Sequence, residues 1–230
     1  QATIGKGYTR GIAGTSTAKN IDVTALEEND YFGISLSFNA NGDRLAVGAY
    51  EESGWNNSAY GSGAVYLFSF TDSNFSGGSL QATVGKNYNG GKNVNVTALD
   101  VLDYFGVSVA LNAAGDRLAV GSYHDEGFGN SGQGTGAVYL FSFTDSNFSG
   151  GTLQATIGKG YTGGNNIDVT ALESNDGFGI SVAFNSTGDR LAVGAVFDDG
   201  FGNLTSQSGA VYLFSFNDAN FSGGTLQATI

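Results

Sequence analysis

The chain of 230 residues has no cysteine, no proline and no methionine, and a single histidine. Without cysteine there is no disulfide staple and no thiolate metal site, although this leaves the compartment open. Basic residues are scarce: 9 Lys and Arg stand against 21 Asp and Glu, for a formal net charge of −12. A phosphate-binding surface needs clustered Lys and Arg, so the balance argues against nucleic acid as a partner and against docking on anionic lipid. The acidity itself reads as a solubility feature. No apolar run approaches the roughly 18 residues of a membrane-spanning helix, and no signal peptide is visible. A nucleophile elbow, a P-loop and a His-rich metal motif are all missing, and His124 sits in a loop where Glu51 and Phe197 hold the matching positions. The sequence therefore predicts a protein that is not an enzyme, with no catalytic residues and no cofactor.

What the chain does have is a period. Phe32-Gly33, Phe105-Gly106 and Phe178-Gly179 are 73 residues apart. The Gly-Asp-Arg-Leu-Ala-Val-Gly blocks at 42–48, 115–121 and 188–194 keep that spacing, as do the Gly-Ala-Val-Tyr-Leu-Phe-Ser-Phe blocks at 63–70, 136–143 and 209–216. A fixed period of this length means stacked supersecondary units. The 38 glycines show no three-residue period, which excludes collagen, and a hydrophobic content of 40% is enough for a packed core.

Each unit reads as about four short strands. In the third, residues 179–185 alternate apolar Ile180, Val182 and Phe184 with small or polar residues, which is a strand period. Asn185–Asp189 is a turn, and the matching Asn41-Gly42 is a strong hairpin signal. Strands follow at 190–195, 209–216 and 225–230, joined by polar, Gly-rich loops. The stretch 167–172 alternates too, as a strand extension or an ordered loop. Strands that are apolar on one face and small or aromatic on the other make sheets buried on both sides. The expected fold is all-β: three four-stranded antiparallel blades of a β-propeller, in preference to a β-solenoid, whose coils are shorter.

These blocks resemble the FG-GAP repeat, the blade unit of integrin α-subunit propellers and of many bacterial extracellular proteins. The likeness rests on Phe-Gly, then Val-Gly-Ala at 47–49 and 193–195 or Val-Gly-Ser at 120–122, then Gly-Ala-Val-Tyr-Leu-Phe, in all three units. Its wording is most similar to repeats of large bacterial surface proteins of the filamentous-haemagglutinin or adhesin type. The resemblance implies an extracellular, cell-surface interaction protein with six or seven blades. It also implies a calcium loop before the Leu-Ala-Val-Gly strand, and here the chain departs from the pattern. Asp43, Asp116 and Asp189 run directly into Arg44, Arg117 and Arg190. A calcium cage needs six to eight oxygens, so these aspartates read as turn residues paired with arginine.

Other acidic positions recur in register: Asp30, Asp103 and Asp176 before Phe-Gly; Glu52, Asp125 and Asp198 early in the variable loop; Asp72, Asp145 and Asp218 after the third strand; and Asp22, Asn95 and Asp168 in the lead-in. Asp caps turns by bonding backbone N–H groups. The sharper alternative is weak calcium binding where the Asp30 and Glu52 types meet, and it stays open. Trp55, Phe128 and Phe201 share one position of the variable loops 50–62, 123–135 and 196–208, which keep their length while changing sequence. Together with Glu52, Asp125 and Asp198 they are the candidate partner-contact residues, because recognition tends to sit on variable loops of a fixed scaffold. They could equally fold back over their own loops.

The divisions expected are 1–30, a fourth strand of a preceding blade with its lead-in loop; 31–103 and 104–176, the first two repeats; and 177–230, the third, cut short at its fourth strand. The first unit carries seven more residues than the third in the stretch 9–19, a surface-loop insertion. Gln1-Ala-Thr-Ile4 repeats at the other end as Gln227-Ala-Thr-Ile230, so that strand occurs four times for three units. Propellers close with four to eight blades, so three form an open arc whose apolar ends need a cover. The reading is a structural or adhesive repeat protein that assembles with further repeats or other copies, such as in a filament. The alternative is a propeller module that binds a glycan or a protein, with or without a cation.

Overall fold

The computed structural model describes residues 2–9 and 19–230, so most of the insertion at 9–19 lies outside the described residues. The described residues are all-β, in four sheets. A small sheet pairs β1 (Ile4–Gly5) with β2 (Ile21–Asp22) in parallel. The first large sheet runs β3 (Leu36–Phe38), β4 (Arg44–Ala49), β5 (Ala64–Ser69), β6 (Ser79–Gly85) and β7 (Val94–Asn95). The second runs β8 (Phe105–Leu111), β9 (Arg117–Ser122), β10 (Ala137–Ser142), β11 (Thr152–Gly158) and β12 (Ile167–Asp168). The third has β13 (Phe178–Phe184), β14 (Arg190–Ala195), β15 (Ala210–Ser215) and β16 (Thr225–Thr229). Residues 31–103, 104–176 and 177–230 thus carry one large sheet each.

Neighbouring strands pair antiparallel through the first four of each large sheet. The four-strand expectation is short by one in the first two sheets, because the lead-in stretch of the following unit adds a fifth, parallel strand. Val94 and Asn95 pair with Val84 and Gly85, and Ile167 and Asp168 with Ile157 and Gly158. Each lead-in therefore straddles a seam: its backbone belongs to one sheet, while Val94, Val96 and Leu99 pack in the core of the next. The sheet of β1 and β2 is built in the same register, with Ile21, Val23 and Leu26 packed on the first large sheet. Short 3-10 turns at Trp55–Asn57 and Phe201–Asn203 are further features that periodicity does not signal.

The two faces of a sheet carry different chemistry. The leading face presents large residues, such as Phe105, Leu118, Val120, Tyr139 and Phe141, to the trailing face of the sheet before it, where Ala46, Val65, Leu67 and Ala82 are small or aliphatic. The second seam repeats this, with Ala110, Ala119, Val138 and Leu140 against Phe178, Tyr212 and Phe214. Fully burying a large apolar side chain contributes roughly 1.5–3 kcal/mol, so aromatic layers of this kind supply much of the stability.

The Phe-Gly and Val-Gly pairs lock the sheets together through backbone. Gly106 and Gly179 take φ +93, which glycine adopts without strain. Their carbonyls accept hydrogen bonds of 2.7 Å from the hydroxyls of Ser35 and Ser108 in the preceding sheets. Single parallel bridges join Gly63 to Phe105 and Gly136 to Phe178. A Cβ at Gly48 would lie 1.9 Å from the Gly106 carbonyl oxygen, and one at Gly121 would lie 1.8 Å from that of Gly179. The motif glycines are what let two sheets approach this closely.

Both ends of the stack expose apolar residues, although Leu45, Val47, Tyr66 and Phe68 of the first sheet's leading face are buried in a cluster with Ile21, Val23 and Leu26 of the lead-in. Ile34, Leu36 and Phe38 are 52%, 63% and 46% exposed, whereas Val109 and Leu111, in the same places of the second sheet, are 7% and 8% exposed. At the far end Val211 is 40% and Ile230 78% exposed, while their counterparts Val65, Val138, Val84 and Ile157 are fully buried.

The seam geometry separates identical substitutions. Gly121→Ala forces a Cβ into a carbonyl oxygen, and overpacking of this kind costs about 3 kcal/mol. Gly194→Ala meets only the rotatable Ser181 hydroxyl at 2.4 Å and is expected to cost under about 1 kcal/mol. Urea unfolding of the two variants checks this; equal losses would refute the backbone-contact account.

Candidate functional site

The candidate contact residues divide by geometry. Glu52, Asp125 and Asp198 are turned inward and buried. Each caps its own loop through the N–H of Gly54, Gly127 or Gly200 at 2.7–2.8 Å. Each also accepts from tyrosine. In the second sheet the Tyr139 hydroxyl donates to Asp125 Oδ2 at 2.6 Å, and Tyr161 reaches both oxygens at 3.1 Å. In the third, Tyr212 donates to Asp198 Oδ2 at 2.6 Å. In the first, Tyr88 donates to Glu52 Oε1 at 2.6 Å, but the buried Tyr66 hydroxyl, close to that of Tyr88, has no partner of hydrogen-bond geometry. These carboxylates hold the loop to the core, and Asp198 also lines an open cleft.

Trp55, Phe128 and Phe201 are exposed at the 3-10 turns and their equivalent. Trp55 and Phe128 lean edge-on over Tyr88 and Tyr161, with ring centroids 5.9 Å apart in both cases, an arrangement aromatic pairs prefer. Phe201 has no such neighbour and is fully exposed.

The remaining recurrent acids serve turns. Asp30, Asp103 and Asp176 accept from the N–H three residues before them, at 2.6–2.7 Å. Asp72, Asp145 and Asp218 take two backbone N–H groups each, and their carboxyls lie below the usual range, held there first by the backbone bonds in Asp72 and Asp145 and first by the Ser222 hydroxyl in Asp218. Asp43 and Asp189 pair with Arg44 and Arg190 at 3.3 and 3.2 Å. Among the described residues no three His, Cys, Asp or Glu side chains gather in a metal-holding group.

Burial raises the carboxyls of Glu52, Asp125, Asp30 and Asp176 above the ordinary range. Asp103 is pushed up to about 7, first by burial and then by the charge of Asp125. Burial also raises the phenols of Tyr88, Tyr139 and Tyr161, so they remain donors.

One surface feature escaped the sequence reading. Tyr31, Tyr50, Tyr104 and Tyr123 form a continuous ridge across the first seam, with successive centroids 5.4, 5.4 and 5.6 Å apart, and His124 packs against its far end. Tyr31 and Tyr104 sit at φ 51 and 58, where Gly177 stands in the third unit. A bulky side chain in that conformation is a genuine outlier that costs of order 1 kcal/mol. The signal was present, since 31 and 104, and 50 and 123, are also 73 apart, but the third unit breaks it with Gly177 and Val196.

Two outcomes follow. Glu52→Asp shortens the side chain to match Asp125, lets the Tyr66 hydroxyl find its acceptor, and is expected to add about 1 kcal/mol in chemical denaturation; a loss of stability would contradict it. For Asp103 the folded state holds a proton that the unfolded state releases between pH 3.8 and about 7. Stability from this group therefore falls as pH rises through that window. The melting temperature should be higher at pH 5 than at pH 8, and Asp103→Asn should reduce the difference.

The described fold is all-β, and its Phe-Gly, Val-Gly and Gly-Ala-Val-Tyr blocks meet at the seams. In comparison with known proteins, no curated protein matches the chain in sequence. Among solved structures, the crystal structure of Saccharomyces cerevisiae Sqt1 is similar at a TM-score of 0.44 and 9% identity, covering 89% of this chain and 36% of that one. This chain thus spans about a third of that protein's length. The family model described as FG-GAP repeat matches residues 26–68, 94–141 and 172–214, one segment for each large sheet and together more than half of the chain. With this match over more than half of its length, the chain belongs to the FG-GAP repeat family.

Proposed function

We propose that the chain is a non-enzymatic, extracellular structural or adhesive β-propeller module of a bacterial cell surface, joined to further repeats or to other copies, for example in a surface filament. The observation that carries this reading is the apolar side chains left exposed at both ends of the stack. Leu36 and Phe38 of the first sheet and Val211 and Ile230 of the third stand where residues of the second sheet are buried at the internal seams, and soluble monomers seldom leave such patches open. A stack of sheets that each bury both faces extends by adding another sheet, so the natural partner of such an end is a further blade. The net charge of −12 suits a soluble surface.

The tyrosine ridge favours a second reading, a propeller module that binds a glycan or a protein. Flat rings with polar tips are suited to sugar faces and protein contacts, and holding Tyr31 and Tyr104 in a strained backbone conformation suggests a use beyond packing. On this reading calcium has at most a weak supporting part.

Negative-stain electron microscopy of the native particle tests the first reading: rings, strings or filaments of blades support it, and isolated three-blade arcs speak against it. For the second, Tyr104→Gly removes a ring and relieves the backbone. It should leave stability equal or up to about 1 kcal/mol higher while abolishing binding on a glycan array or to a protein ligand. Binding unchanged in Tyr104→Gly would remove the ridge from consideration, and loss of binding on EDTA treatment would restore calcium to a central part.

A further inference from the structure

The tyrosine ridge changes character at the second seam. At the first seam Tyr104 lies between Tyr50 of the unit before it, at 5.4 Å, and Tyr123 of its own unit, at 5.6 Å and nearly parallel. One repeat later Gly177 stands in the place of Tyr104. A slot of about 70 Å³ opens there, lined by Tyr123, His124 and Gly134 of the second unit and by Asn175, Gly177 and Phe197 of the third. A Cβ on Gly177 would lie 3.3 Å from the Phe197 ring and 3.9 Å from that of Tyr123, so this glycine is the floor between two rings. The slot sits between the second and third sheets, away from either end of the stack.

Polar groups border the rings. Burial, and after it the neighbouring Glu51 carboxylate, raises the phenols of Tyr50, Tyr104 and Tyr123, that of Tyr50 to about 12. The ridge hydroxyls therefore keep their protons and can donate. On the slot side Asn175 is exposed at φ 68, where the second unit has Leu102 at φ 66. Its amide is both a donor and an acceptor.

Size, charge and area select the occupant. A volume of about 70 Å³ is roughly twice that of one water in the liquid, which admits a short substituent and no ring. Aromatic walls suit a methyl group, and an amide at the rim suits another amide, so the substituent that satisfies both is an acetamido group. The neighbouring charges are carboxylates, Glu51 at the ridge and Glu173 and Asp199 near Asp176 beside the slot, and they repel an anionic ligand. Tyr50, Tyr104 and Tyr123 are partly buried and Phe197 is 44% exposed, so rings of about 150–250 Å² each offer on the order of 300 Å². A specific protein partner buries roughly 800 Å² on each side. It would have to cover the carboxylates as well, at a desolvation cost. A sugar covers the rings alone and leaves the carboxylates at a wet rim, where hydroxyls donate to them.

We propose that the slot and the adjoining ridge bind a neutral glycan through a 2-acetamido sugar. The acetamido methyl enters between Tyr123 and Phe197, its amide meets Asn175, and the sugar ring lies along Tyr123 and Tyr104 toward Glu51. This rests on the ridge being a binding surface, the second reading above, and names the ligand class.

Isothermal titration of the 230-residue chain with tri-N-acetylchitotriose, an oligomer of a 2-acetamido sugar, is the test, with cellotriose as the trimer lacking acetamido groups. Two variants copy the second unit into the third. Gly177→Tyr puts a ring in the slot, and Asn175→Leu removes the rim amide. Tyr104 and Leu102 already hold these side chains at the matching φ, and circular dichroism melts confirm folding. The wild type should bind the acetylated trimer saturably and at least about ten-fold more tightly than cellotriose. Gly177→Tyr should abolish that binding, and Asn175→Leu should weaken it by about ten-fold. Equal affinity for the two trimers, or unchanged binding in Gly177→Tyr, would overturn the slot while leaving the ridge as a glycan surface. Preference for a carboxylated or sulfated oligosaccharide would overturn the proposal on charge. A wild-type chain that binds neither trimer would also overturn it, and a protein ligand lost in Tyr104→Gly would then keep the ridge as a protein-binding surface.

Discussion

Backbone-to-backbone contact at the seams is the constraint on which the rest of the structure depends. Gly48 faces the carbonyl of Gly106, and Gly121 that of Gly179, at distances that exclude any Cβ. Because the backbones meet there, the serine hydroxyls reach the same carbonyls and the single parallel bridges can form. The small trailing faces built on Ala46 and Ala119 then accept the aromatic leading faces built on Phe105, Tyr139, Phe178 and Tyr212. The repeated Phe-Gly and Val-Gly pairs are thus one joint seen from its two sides: phenylalanine packs into its own sheet, edge-on to the tyrosine and phenylalanine of the third strand, and the glycine after it meets the neighbour.

Around that joint, polar groups tie loops to the stack. A carboxylate buried at the start of each variable loop would be costly alone. Here it is compensated by a glycine N–H and by one or two phenols, and in Glu52 and Asp125 burial outweighs those bonds and raises the carboxyl. The lead-in strands do similar work between units, donating backbone to one sheet and side chains to the next. Lys19, Lys92 and Asn165 reach the carbonyls of Asn74, Asn147 and Asn220 in the loops after the third strands. Stability in such an array is chiefly a property of neighbouring pairs, which is why its ends differ so much from its middle.

The functional argument follows from that difference. A blade-like sheet with chemically distinct faces is directional, and a stack of them has a leading end and a trailing end that complement each other. The tyrosine ridge is a separate matter. It crosses a seam, so no single unit contains it, and it is written into only two of the three units.

The sequence by itself determined the period, the strand class, the turn aspartates, the layer of Tyr66, Tyr139 and Tyr212, and the motif that places the chain in its family. Those are local signals, carried by alternation, turn chemistry and repetition. Three things were decided only in three dimensions. The lead-in at 94–95 and 167–168 became a fifth strand because its partner is the unit before it, which alternation cannot express. Glu52 and Asp125, legible as loop residues, proved to be buried, because the tyrosines that draw them inward come from a different strand and from the next turn. The ridge of Tyr31, Tyr50, Tyr104 and Tyr123 emerged only when two sheets were laid side by side. Repetition marks which residues a unit needs; only packing shows whether each is turned toward its own core, toward its neighbour or toward solvent.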